Sequence, residues 1–106
     1  MVREMNKNEF MRALRGYQNA QEMYEMNYPK ECLLELKPVL RLLEKYETQT
    51  RFLAKAYYLK SQALGQLNKS REQLRVLDQA LQILEHIEDD TDLKNTILTE
   101  RNALMM

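Results

Sequence analysis

Apolar residues along this chain recur every three to four positions, and no segment alternates with the period of two that a half-buried strand requires. That periodicity constrains the fold more than any other feature. Only two Gly and two Pro interrupt it in 106 residues, too little turn chemistry for a sheet protein of this length. The expectation is an all-α fold. Hydrophobic residues at 44% and charged residues at 30% suit a foldable chain that is neither disordered nor membrane-embedded. The length suits one domain spanning 1–106, with no room for separate cofactor and substrate modules.

The stripe Phe10, Leu14, Tyr17, Ala20 and Tyr24, widened by Met11, Ala13 and Met23, predicts a first helix from Asn6 or Asn8 to Met26. Asn27-Tyr28-Pro29 ends it, because the residue before proline avoids helical angles, and Pro29 suits the first turn of a second helix. That helix carries Cys32, Leu33, Leu36, Leu40, Leu43 and Tyr46 on one face. Pro38 lies inside it, where proline costs about 3 kcal/mol; it either bends the helix or marks a later start of its regular part, and we favour the bend. Thr48-Gln49-Thr50 offers two N-caps for a third helix through Leu53, Ala56, Tyr57, Leu59, Ala63, Leu64 and Leu67, closed by Asn68-Lys69. Ser70-Arg71-Glu72-Gln73 has the form of a capping box, with Ser70 capping a fourth helix through Leu74, Leu77, Ala80, Leu81, Leu84 and Ile87. The acidic linker Glu88-Asp89-Asp90-Thr91-Asp92 supplies caps for a fifth helix through Leu93, Ile97, Leu98 and Leu104. Connections this short make sequence neighbours antiparallel hairpins, about 8–47 and 50–88, with a last helix at about 91–106.

The two hairpins share a spacing. In the second, Tyr57, Lys60, Ser61 and Leu64 are followed by Gln73, Leu77 and Ala80; in the first, Gly16, Asn19, Ala20 and Met23 are followed by Cys32, Leu36 and Val39. This pattern resembles the tetratricopeptide repeat. Tyr57 stands for the usual Trp, Ser61 for the small Gly, Leu64 for the Tyr and Leu77 for the Phe, while Ala80 matches directly; Ala20 and Cys32 take the small positions of the first hairpin. Lys60, Gln73, Gly16 and Asn19 depart from the pattern. Val39 and Ala80 are 41 residues apart, against about 34 for the family, so the second helix is expected to be longer by about two turns. The resemblance covers about residues 8–88 and implies a short superhelix of hairpins with the fifth helix as a cap. A plain five-helix bundle is the alternative.

The resemblance further implies an interaction module whose groove holds a peptide or helix. Its carboxylate-gripping subtype is not supported, because Leu59 and Tyr17 fall where asparagine and a basic residue are needed, and Arg15 and Asn19 lie out of frame. A groove lined by Tyr17, Tyr24, Tyr57 and Tyr58 fits better. Phe10 and Met11 make the first helix apolar around more of its circumference than one groove requires, and with Met5, Met23 and Met26 they suit a surface that adapts to a partner.

Chemistry is hard to assemble from the remaining residues. His86, the sole histidine, reads as a surface imidazole near a helix C-terminus, and Cys32, the sole cysteine, as a small buried residue. The Glu88 to Asp92 run lacks the glycine and distal glutamate of a calcium loop. No phosphate loop, zinc spacing or hydrolase triad appears, so no enzyme, cofactor or metal is expected. Arg41, Lys45, Arg51, Lys55 and Lys60 form a local basic cluster diluted by Glu44 and Glu47, and 16 cations balance 16 carboxylates overall, which disfavours nucleic acid. A single cysteine excludes an internal disulfide and suits the cytoplasm, with the nucleus as alternative; the N-terminal Met1 to Lys7 lacks the apolar stretch of a signal peptide, and no apolar run reaches membrane-spanning length. The expected role is a protein or peptide adaptor; the alternative is an assembly or chaperone-like subunit whose end helices form homo- or hetero-oligomers.

Overall fold

The computed structural model describes residues 5–46, 51–86 and 91–106. Thr48 and Thr50, Ile87, the Glu88-Asp89-Asp90 part of the acidic linker and the extreme N-terminus lie outside those residues. Among the described residues the chain forms five α-helices and no strand: α1 (Lys7–Glu25), α2 (Pro29–Glu44), α3 (Arg51–Gln66), α4 (Ser70–Leu84) and α5 (Thr91–Leu104). The fold is all-α.

Local chemistry sets the start of α1. The Asn6 side chain accepts from the Glu9 N–H at 2.8 Å, and the Glu9 carboxylate accepts from the Asn6 N–H at 3.3 Å, a reciprocal capping box. Glu9 is also held below the usual carboxylate range, first by a hydrogen bond from Tyr46 and then by the Asn6 amide, which joins the start of α1 to the end of α2.

Both helical hairpins turn in the same way. Asn27 and Asn68 are the only described non-glycine residues at positive φ, 66° and 61°. At the first turn the Tyr28 N–H donates to the Met23 carbonyl and the Asn27 N–H to Tyr24; at the second, Lys69 donates to Leu64 and Asn68 to Gly65. Each is a Schellman motif, in which an asparagine tolerates the left-handed region and the last carbonyls of the helix are satisfied. The turns are 41 residues apart, as are the starts of α2 and α4. They lie side by side, with Gln66 Nε2 donating to Asn27 Oδ1 at 3.4 Å.

This turn corrects the expectation for Ser70. The boundary falls at Ser70, but Lys69 is the N-cap, without a side-chain cap bond, and Ser70 is the first helical residue. The Schellman turn consumes the chain through Lys69 and leaves no residue between it and the helix, just as Tyr28 precedes Pro29. Pro38 does not delay α2, which is helical from Pro29. Its missing N–H leaves the Leu34 carbonyl without a helical donor, and both residues face solvent, where water can supply one.

Packing follows chain order. The most extensive contacts join α1 to α2 and α3 to α4, then α2 to α3 and α4 to α5, with a smaller contact between α1 and α3. The core is built from Leu36, Leu77, Leu84, Ile97 and Cys32, with Ser61 buried among them and its hydroxyl donating to the Tyr58 carbonyl. Ala20 and Cys32, read as small positions of the first hairpin, are both wholly buried. Gly16 lets α1 approach α2: a Cβ there would stand 2.5 Å from Val39 Cγ2. Helix α5 contributes one buried side chain, Ile97, and is held further by Arg101 to Asp78 and by Tyr58 to Glu100. The result is a slab of 42 × 30 × 20 Å with a radius of gyration of 13.6 Å.

Candidate functional site

Where α1 meets α3 the chain builds an aromatic cluster. Phe10 and Tyr17 lie two turns apart on α1, and Phe52 at the start of α3 rises between them. Its ring meets Phe10 edge-on at 5.9 Å and 74°, and Tyr17 at 5.6 Å and 87°. Edge-to-face pairs at these separations contribute about 0.5–1.5 kcal/mol each beyond the area they bury. Phe10 remains 44% exposed, and Tyr17 and Phe52 are half-buried against the core.

Tyr24 of α1 acts on the ionisation of Tyr58 of α3, whose hydroxyl donates to Glu100 of α5 at 2.8 Å. Burial first, then the Glu100 hydrogen bond, pushes the Tyr58 phenol well above its usual range. Glu100 Oε2 is buried without a donor among the described residues. Burial likewise raises Tyr17.

The sequence-derived surface residues therefore divide. Phe10 and Tyr17 join the α1/α3 cluster, Tyr24 and Tyr58 are half-buried on the same two helices, and Met11 is exposed on α1 at 46%. Tyr57 is not part of this surface. Its ring is in the core and its hydroxyl donates to Glu44 of α2, because Tyr57 and Tyr58 are adjacent on a helix and so point about 100° apart. Two residues that these side chains meet were not singled out from the sequence. Phe52 precedes the apolar stripe of α3 and owes its position to α1, and Glu100 carries no local signal at all.

Elsewhere, Cys32 is buried and its thiol is pushed up to about 11, so it is protonated at neutral pH. His86 is exposed just beyond the end of α4. Among the described residues no three His, Cys, Asp or Glu side chains converge as a metal site, and no helix is long and apolar enough to cross a membrane. Beside the Gly16 approach, α1 and α2 enclose a depression of about 420 Å³, but Glu9 and Glu35 alternate there with Arg12, Arg41 and Lys45, so it favours neither sign of ligand charge. Comparison of the chain with protein-family models, with curated proteins and with solved structures gave no match.

Proposed function

We propose that this chain is a small non-enzymatic interaction module that holds an apolar peptide or helix of a partner protein on the aromatic surface where α1 meets α3. The observation that carries this reading is the aromatic set Phe10, Tyr17 and Phe52 at the α1/α3 contact, where Phe10 and the neighbouring Met11 stay exposed. Apolar surface that a fold leaves uncovered and rims with polar groups is the usual mark of a binding site. The shape agrees. The solvent-accessible surface is 7289 Å², whereas a compact protein of this mass exposes roughly 6,200 Å².

A tetratricopeptide-like arrangement of the hairpins accounts for the repeated features: two identical Asn turns 41 residues apart, packing that follows chain order, and α1 in contact with α3. In such an array the first helices of successive hairpins, which would be α1 and α3, line the concave side, and Tyr58 of α3 would bring Glu100 of α5 to it. The free, buried thiol suits a reducing compartment, the cytoplasm or nucleus.

The test is selection of helical peptides from a displayed library, followed by amide shift mapping on the labelled chain. Selected peptides are expected to perturb Phe10, Tyr17 and Phe52 and to lose affinity with the Phe10→Ala/Met11→Ala chain, whose helicity serves as control. Peptides that map to another face, or a chain that self-associates through this surface in light scattering, refute the peptide-binding reading.

A further inference from the structure

A second surface, of different chemistry, lies along α2 next to the α1/α2 depression, with Arg41 bordering both. Two open depressions, of about 330 and 710 Å³, share Leu33 and Lys37 in their linings and together border a trough between α2, α3 and the turn into α4. Its apolar floor is Leu33, Leu34 and Leu67, with Leu34 68% exposed. Its rim is cationic. Lys30, Lys37 and Arg41 come from α2, Lys60 from α3 and Lys69 from the turn, against one carboxylate, Glu44, which already accepts from Tyr57.

Two facts make this segregation informative. The chain as a whole is neutral, with 16 cations and 16 carboxylates, so five cations around one trough are not a share of a global excess. None of the five takes part in an ion pair among the described residues. The cause is positional: Lys30, Leu33, Leu34, Lys37 and Arg41 follow i, i+3, i+4, i+7 and i+11, a single face of α2, while Glu31 and Glu35 fall on other faces.

From this arrangement we infer that the trough is a second docking surface, for an acidic amphipathic helix of a partner protein. Leucines on the partner would cover Leu33, Leu34 and Leu67, and glutamates or aspartates flanking them would meet the lysine rim. From Lys30 to Arg41 is roughly 16 Å at 1.5 Å per residue, enough for about three turns of bound helix. This surface is separate from the α1/α3 cluster, so the chain could bridge two partners.

The probe is a fluorescent helical peptide of about four turns with Leu at i, i+3, i+4 and i+7 and Glu on both flanks, titrated against the full chain by anisotropy. A matched peptide with Gln for every Glu is expected to bind about tenfold more weakly, since exposed charge pairs contribute individually small amounts that add across the rim. Lys37→Glu/Lys69→Glu is expected to weaken the acidic peptide by about tenfold or more with thermal stability unchanged, because both side chains are exposed. Leu34→Ala separately tests the floor. Phe10→Ala is expected to leave the affinity unchanged; a loss would place the peptide on the α1/α3 surface and overturn the inference. Equal affinity for the Glu and Gln peptides, no response to charge reversal, or tighter binding of a single-stranded oligonucleotide of equal charge would each overturn it as well.

Discussion

Replacing Gly16 by alanine is expected to destabilise the protein, whereas the same change at Gly65 is expected to stabilise it. Each glycine lies inside a helix, where Gly→Ala by itself gains about 1 kcal/mol. The surroundings decide the sign. At Gly16 the new Cβ would meet Val39 Cγ2 at 2.5 Å, about 1 Å inside the ordinary carbon contact distance. Val39 is buried and β-branched within α2, so essentially one rotamer is open to it and the strain must separate the helices. Overpacking of this kind costs about 1–3 kcal/mol, which leaves a net loss of about 1 kcal/mol and lowers Tm by about 4–8 °C in a domain of this size. At Gly65 the close atom is Gln73 Nε2 at 2.8 Å, the far end of a flexible side chain that can swing aside. Urea and thermal unfolding of the two variants are expected to differ by about 2 kcal/mol, with opposite signs relative to the parent chain. Val39→Ala provides the internal control: in the Gly16→Ala background it removes the clash, so its cost is expected to fall by the overpacking term, about 2 kcal/mol. If Gly16→Ala raises Tm as much as Gly65→Ala does, or if the two sites prove additive, the close approach of α1 to α2 is refuted.

Three further outcomes follow from the same structure. Stability is expected to hold up to about pH 9 and then to fall as pH rises through about 11, because the folded state keeps the Cys32 proton that the unfolded chain releases; urea midpoints check it, and Cys32→Ala should flatten the slope between about pH 9 and 10, below the range in which the raised Tyr17, Tyr57 and Tyr58 phenols add a loss of their own. The same thiol should react with a disulfide reagent only at the rate of unfolding, so labelling as fast as in urea would contradict its burial. Ile97→Ala is expected to cost about 2–5 kcal/mol and, because it removes the one buried side chain of α5, hydrogen exchange should show α5 losing protection while α1 to α4 keep theirs.

Five helices, their order and most of their boundaries were legible in the sequence, because each depends on residues within a few positions of one another: the stripe from Phe10 to Tyr24, Pro29 at a helix start, the break at Asn68. Local logic also misled where two local motifs competed. Ser70 has the sequence of a capping box, but the Asn68 turn reaches Lys69 first and takes the cap position. Asn6 and Glu9 form the box that is present.

Tertiary structure decided which residues share a surface. The repeat resemblance grouped Tyr57 and Tyr58 in one groove, whereas packing sends one into the core against Glu44 and the other to Glu100 of α5. Proximity along the chain grouped Arg41 with Lys45, Arg51, Lys55 and Lys60. In space Arg41 and Lys60 meet Lys30, Lys37 and Lys69 around the trough, while Arg41 also borders the α1/α2 depression with Lys45. Hydrogen-bonded turns and apolar stripes are short-range and can be read one segment at a time. A surface is assembled by the rotation of each helix about its axis and by its depth against its neighbours, and those are set by contacts such as Gly16 against Val39 and Phe52 against Tyr17, between residues 23 and 35 positions apart in the chain.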